Sequence, residues 1–208
     1  MTEIRPLSAA SQHLLYNQAI GIDTSLAYAL TNGSNSQFYR EAIKFTNDIA
    51  KIDAFIVVTV KTIEEIYIKT TSELIHSNGS ARKSFFNSNQ NAGQMVSNRV
   101  EIIKNLLNQN PAILSDPMGQ IDNSVLERAN EIVTRYNLEW GDATIFSLVE
   151  QLKLDGFASC DYDFTRVIDS NIPIYIPQRL YQRHQNEISQ ANAPSVASSA
   201  NTVSKSLP

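Results

Sequence analysis

The acidic residues best placed to do chemistry stand where short apolar runs end. Asp23 follows the run 19–22, and Asp161 follows the run 156–160. Short apolar runs of this kind, bounded by turn residues, are typical of buried strands. Ligands of open parallel sheets bind beyond the carboxyl ends of the strands, so an aspartate at that point is a candidate site residue.

Two further acids lie on predicted helices. Asp142 falls in the first turn of a helix whose apolar residues recur every three or four positions. Glu65 lies on a helix that directly follows the run 54–60, which is continuous and β-branched, as in a strand covered on both faces. Glu64 adjoins Glu65 and is the alternative, and we choose Glu65 from its alignment with the strand end.

The elements between these acids alternate between strand and helix, which predicts an α/β fold with a central, mostly parallel sheet. Right-handed crossovers bring the carboxyl ends of parallel strands to one edge of the sheet. We therefore expect Asp23, Asp142, Asp161 and Glu65 to face one another there.

Several carboxylates so close together repel, and each raises the pKa of its neighbours. A hard divalent cation relieves this repulsion, and oxygen ligands without His or Cys favour Mg²⁺ or Mn²⁺ over zinc. Such an ion also binds phosphate, so the reaction class indicated is metal-assisted phosphodiester hydrolysis.

Each residue also has a purely structural interpretation. Asp23 could serve only as a helix N-cap, and Asp142 only as a first-turn acid favoured by the helix dipole. Trp140 is expected to pack against the core. The recurrence of acids after strands, in order along the chain, favours a functional site over these interpretations.

The composition indicates one α/β domain, with 208 residues, 42% hydrophobic residues and one Cys. A net charge of −4 argues against a broadly basic nucleic-acid binder. The first residues lack the basic start and apolar core of a signal peptide, and no apolar stretch is long enough to span a membrane. We therefore expect a cytoplasmic protein without membrane contact.

The chain divides by composition into a core and three weakly patterned segments. Residues 1–17 form an N-terminal extension whose pattern is too weak to predict its structure. Residues 77–97 are a polar insertion expected to be a mobile loop or lid. Residues 172–176 predict an edge strand because they contain Pro173. Residues 186–208 are polar and of low complexity, which predicts disorder.

Four short motifs resemble the PIN domain, the nuclease fold that includes the VapC toxins of bacterial toxin–antitoxin pairs. They are Gly21-Ile22-Asp23-Thr24-Ser25, Thr59 through Glu65-Ile66-Tyr67, Gly141-Asp142-Ala143-Thr144-Ile145 and Ser159-Cys160-Asp161-Tyr162-Asp163-Phe164. The resemblance implies a three-layer α/β/α nuclease domain over residues 18–180.

The resemblance also implies the roles of individual residues. Asp23, Glu65, Asp142 and Asp161 would bind Mg²⁺ or Mn²⁺, with Asp163 as a further ligand and Thr24, Ser25 and Ser159 supporting them. The implied substrate is RNA, and the implied protein partners are an antitoxin and a second copy of the chain. Arg82 and Lys83 in the polar insertion are expected to bind RNA phosphates, because a loop over an acidic site needs a basic counterpart.

Three other classes of protein could also place acids at strand ends. A phosphoaspartate receiver and a haloacid-type phosphatase both need a Lys near the late strands, and none lies between Lys153 and Lys205. A catalytically inactive PIN-like binding or scaffold module is the alternative function, and the presence of all four acids argues against it.

Overall fold

A computed structural model describes residues 2–32, 36–79, 81–114 and 116–191, without the side chain of Lys83. Its centre is a parallel sheet in the order β1-β5-β4-β2-β3. The strands are β1 (Ile4–Pro6), β2 (Ala19–Ile22), β3 (Phe55–Val58), β4 (Gly156–Ala158) and β5 (Ile174–Ile176). The prediction of a central parallel sheet is confirmed.

Helices connect the strands and cover both faces of the sheet. They are α1 (Ala10–His13), α2 (Thr24–Thr31), α3 (Tyr39–Lys51), α4 (Val60–Ser77), α5 (Arg82–Ser88), α6 (Ala92–Asn108), α7 (Asn123–Tyr136), α8 (Trp140–Gln151) and α9 (Gln178–Ala191). Short 3-10 helices span Leu7–Ala9 and Tyr162–Arg166.

The core lies in two layers because side chains alternate along each strand. In β3, Ile56 and Val58 belong to a cluster with α2, α3 and α6, whereas Val57 belongs to a cluster with α7 and α8. The second cluster includes the edge-to-face pair of Phe146 and Phe157, with ring centroids 5.3 Å apart. The three-layer α/β/α arrangement is therefore confirmed.

Three neighbouring strands end level with one another. Ile22 at the end of β2 pairs with Val58 on one side and with Ala158 on the other. Asp23 and Ser159 follow directly on two of these strands, so the sheet itself places them at one carboxyl edge.

The strand containing residues 172–176 is not an edge strand, and that prediction is wrong. β5 lies between β4 and β1, because Ile4–Pro6 of the N-terminal extension pairs with it on its outer side. Pro173 is tolerated because it precedes β5 and contributes only its carbonyl, which accepts a hydrogen bond from the Phe157 N–H at 3.0 Å.

The polar insertion is helical, so the expectation of a loop over residues 77–97 is wrong. It contains the end of α4, all of α5 and the start of α6. Phe85 is fully buried in a small cluster with Ile75 and Ala92. Phe85 is the buried anchor of the short helix α5, while the other described side chains of this helix, including Phe86, are exposed.

The predicted disorder of residues 186–208 is wrong for their first part. Helix α9 continues to Ala191, and residues 192–208 lie outside the described part of the chain. No residue of α9 is fully buried, and an i,i+4 ion pair between Arg183 and Glu187, at 2.8 Å, supports the exposed helix.

Candidate acidic active site

Asp23 is a buried carboxylate held by three hydrogen bonds. Its Oδ1 accepts from the backbone N–H of Leu26 at 2.9 Å, so it is the N-cap of α2. Its Oδ2 accepts from the hydroxyls of Ser25 at 2.7 Å and Ser159 at 2.8 Å. The structural interpretation of Asp23 is thus correct, and it is compatible with a site because the same carboxylate faces other acids.

The two serines connect the acids of β2 and β4. The Ser159 hydroxyl, besides donating to Asp23, accepts from the Asp161 N–H at 2.8 Å. The Ser25 hydroxyl accepts from the Cys160 N–H at 2.9 Å. These bonds fix the turn after β4 against the turn after β2. Both serines therefore lie beside the acids that they were expected to support.

Glu65 is held between α2 and α8. The Thr24 hydroxyl donates to its Oε2 at 2.8 Å. On its other side lies Gly141, where an added Cβ would come within 1.8 Å of Oε1. Its neighbour Glu64 is about half exposed and forms an ion pair with Lys61 at 3.0 Å. The contacts therefore favour Glu65 over Glu64 as the site residue.

Asp142 lies in the first turn of α8 and is surrounded by negative charge. Burial raises its pKa to about 8, and the charges of Asp23, Glu65, Asp161 and Glu139 contribute in the same direction. Asp142 lines one cavity with Thr24 and Glu65, and Gly141 before it lies against the Glu65 carboxylate. The structure therefore places Asp142 beside Glu65.

Burial is also the largest cause of the pKa shifts of Asp23 and Glu65. It raises the pKa of Asp23 to about 6, against the opposing effect of the three hydrogen bonds. It raises the pKa of Glu65 as well, opposed by the Thr24 hydrogen bond and by the charge of Lys61. Burial therefore disfavours the ionised form of both acids.

Asp161 and Asp163 differ in their surroundings. Asp161 is the N-cap of the 3-10 helix, accepting from the Asp163 N–H at 2.9 Å, and its charge raises the pKa of both Asp23 and Asp142. Asp163 forms an ion pair with Arg166 at 2.8 Å. Its charge is already balanced, which makes Asp163 the weakest of the predicted metal ligands.

The acids offer oxygen ligands to a hydrated cation. In the described residues, no group of three or more His, Cys, Asp or Glu side chains could hold a metal ion. Mg²⁺ keeps several waters and is usually bound through one or two carboxylates, so it does not require such a group. The donors of the site are carboxylate oxygens, which are the ligands that Mg²⁺ and Mn²⁺ prefer.

A cavity of about 560 Å³ opens beside these acids. Its lining includes Thr24, Glu65 and Asp142 together with Lys61, Ile68, Lys69 and Trp140. The basic and apolar members of this lining were not found from the sequence, because they come from positions on α4 and α8 that meet only in the folded chain.

Trp140 does not pack in the core, and that expectation is wrong. Its side chain is 47% exposed. Residues 143–149 of α8 are all buried, including Ala143, Thr144 and Ser147 on the same side of the helix as Trp140. Helical periodicity therefore does not separate Trp140 from the core, and Trp140 is exposed because it is the first residue of the helix, before the buried part begins.

Arg82 and Lys83 lie away from the acids. Arg82 is exposed at the start of α5, and the side chain of Lys83 is outside the described part of the structure. Residues 65–77 of α4 span about 18 Å, and α5 begins beyond that end. A phosphate bound by Arg82 would therefore belong to a nucleotide distant from the acids.

A family model described as PIN domain matches residues 20–170, which include all four acids. PIN domains are generally nucleases, so the match indicates a nuclease-type fold. No curated protein and no solved structure matches the chain. Among the described residues, no helix has both the length and the apolar character needed to cross a membrane.

Proposed function

Since the chain belongs to the PIN domain family, we propose that it is a Mg²⁺- or Mn²⁺-dependent ribonuclease that hydrolyses RNA phosphodiester bonds. The proposal is supported by the placement of the acids at the carboxyl edge. Ser159 bonds both the Asp23 carboxylate and the Asp161 N–H. Glu65 lies against Gly141, and Glu65 and Asp142 line the same cavity. The cation, when bound, stabilises the negative charge that develops on the phosphate and activates the attacking water.

The side chains around the acids have distinct roles in this proposal. Asp142 and Asp161 hold the cation, with Asp23 and Glu65 completing the negative site. Ser25 and Ser159 orient Asp23 by hydrogen bonding, and Thr24 orients Glu65 in the same way. Asp163 contributes only if its ion pair with Arg166 opens.

Cleavage of labelled RNA tests the proposal. We expect cleavage by the wild type in Mg²⁺ or Mn²⁺, none with a chelator, and a loss on the order of 100-fold in kcat for Asp142→Asn. Asp116→Asn is the matched control, since Asp116 is exposed and remote from the acids in sequence. Cleavage that survives the chelator, or equal cleavage by Asp142→Asn, would refute the proposal.

The biological setting is proposed from the VapC resemblance. In that setting the chain is a cytoplasmic toxin, its partner is an antitoxin, and two copies form a homodimer. A small reading frame beside the gene whose product relieves growth arrest would support the toxin role. RNA binding without cleavage would instead support the inactive scaffold, and sedimentation of the purified chain measures the dimer.

A further inference from the structure

The cavity beside the acids contains an exposed aromatic surface. Trp140 is 47% exposed and Ile68 is 51% exposed, and both line the cavity that contains Asp142. Large apolar side chains exposed in a cavity, next to polar groups with a chemical role, indicate a ligand with an apolar face.

The same cavity carries positive charge on one wall. Lys69 is exposed, with its Nζ 4.1 Å from the centre of the Tyr28 ring. About two turns earlier on α4, Lys61 lies against Glu64. The cavity thus combines an aromatic side chain, a lysine and several carboxylates. In a bound nucleotide chain, the aromatic side chain would contact a flat base and the lysine a flanking phosphate. The carboxylates would contact a second phosphate through the metal ion.

We propose that Trp140 is a stacking platform for one unpaired base of the substrate and that Lys69 binds a phosphate beside it. This inference rests on the proposed nuclease function and assigns the recognition of an unpaired base to one side chain, Trp140. A base within a duplex has both faces covered by its neighbours, so only an unpaired base can lie on Trp140.

The chain provides a direct probe of this contact, because Trp140 is its one tryptophan. Stacking of a base on the indole is expected to quench its fluorescence. The Asp161→Asn protein in Mg²⁺ is titrated with a short single-stranded RNA, with a ribose-phosphate chain of equal length that lacks bases, and with a duplex. We expect quenching by the first and none by the other two. Equal quenching by the chain without bases would overturn the proposal.

Binding by variants of the Asp161→Asn protein gives a second measurement. Trp140→Ala should weaken binding of the single strand about 5- to 100-fold, as loss of one base–aromatic stack does elsewhere, whereas Trp140→Phe should retain most of it. Tyr16→Ala is the matched control, because Tyr16 is 68% exposed and precedes β2 at the opposite edge of the sheet. An unchanged Kd for Trp140→Ala would overturn the platform.

Lys69 is tested by the salt dependence of the same binding. Lys69→Gln should reduce the slope of log K against log salt by about 0.7, the value for one phosphate contact with a single strand. An unchanged slope would remove Lys69 from the proposal.

The two proposals can fail separately. RNA cleavage that needs metal and Asp142, combined with no quenching, would refute the platform and leave the nuclease. Quenching of the Asp161→Asn protein by single-stranded RNA, combined with no cleavage by the wild type in Mg²⁺ or Mn²⁺, would support the platform and refute the nuclease.

Discussion

The backbone of Gly141 lies against the carboxylate of Glu65, so that a Cβ on Gly141 would be 1.8 Å from Oε1. Gly141 is the second residue of α8, directly before Asp142. The close approach of α4 and α8 brings Glu65 and Asp142 together, and the Glu65 carboxylate keeps this position because residue 141 has no side chain.

Gly141→Ala is predicted to lower activity without unfolding the protein. The added methyl displaces the Glu65 carboxylate, while alanine is a better helix former than glycine by up to about 1 kcal/mol. We expect kcat/KM for RNA to fall on the order of 10-fold or more and Tm to stay within a few degrees. Steady-state cleavage and thermal unfolding measure the two effects.

Gly93→Ala provides the control for this substitution. Gly93 also lies in a helix, α6, but a Cβ there would meet no atom within 4 Å. It should gain helix stability and keep full activity. Equal loss of activity in both variants would show that Gly141 does not position Glu65.

Ser159→Ala is predicted to damage both the site and the fold. Ser159 is fully buried, and its hydroxyl donates to Asp23 and accepts from the Asp161 N–H. Its removal leaves two buried polar groups without this partner, at a cost of about 1–3 kcal/mol. Denaturant unfolding measures the stability, and RNA cleavage measures the site.

The control for Ser159→Ala is Ser147→Ala. Ser147 is also buried, but its hydroxyl donates to the Ala143 carbonyl within its own helix. That carbonyl has a helical partner, so the loss should be smaller and activity should be unchanged. A smaller effect of Ser159→Ala than of Ser147→Ala would contradict the bridging role.

The sequence predicted the acidic site because strand ends are written in local patterns. Asp23 and Asp161 each follow an apolar run. The parallel pairing of Ile22 with Ala158 aligns the ends of β2 and β4, so the two acids lie at the same edge of the sheet. The serine network was accessible only through the family resemblance, since its bonds between the turn after β2 and the turn after β4 join residues more than a hundred positions apart.

Two errors have different physical causes. The short run Ile4–Pro6 carries little pattern of its own and becomes a strand by pairing with β5, which is about 170 positions away in the sequence. Residues 82–88 look like a loop by composition, yet the burial of Phe85 against Ile75 and Ala92 folds them as a helix. Those partners lie within ten positions of Phe85, and the polar composition of the segment hid the contact.

Phe85→Ala is therefore predicted to destabilise the helices of the polar insertion. Phe85 is the largest buried side chain of its cluster, and its truncation should cost about 3 kcal/mol, at the low end for a core phenylalanine because the cluster is small. Phe86→Ala is the control, because Phe86 is 43% exposed. Hydrogen exchange should increase in α5 for Phe85→Ala alone, and equal exchange in both variants would contradict the anchor.

The burial of the acids, with the repulsion between their charges, predicts how the stability of the metal-free protein depends on pH. The folded-state pKa of Asp142 is about 8 and that of Asp23 about 6, whereas an unfolded Asp titrates at about 3.9. Between about pH 4 and about pH 8 the folded state therefore binds more protons than the unfolded state, so stability falls as pH rises.

Thermal unfolding in chelator, across that pH range, measures this dependence. Asp142→Asn removes one of the ionising groups and should raise the Tm at about pH 8 by about 2–4 °C, the shift that about 1 kcal/mol produces in a domain of this size. Added Mg²⁺ should raise the wild-type Tm at the same pH by binding the ionised acids, and it should raise the Tm of Asp142→Asn less. Asp116→Asn should follow the wild type throughout. A wild-type Tm that rises with pH in chelator would contradict the close approach of the acids on which the cation site depends.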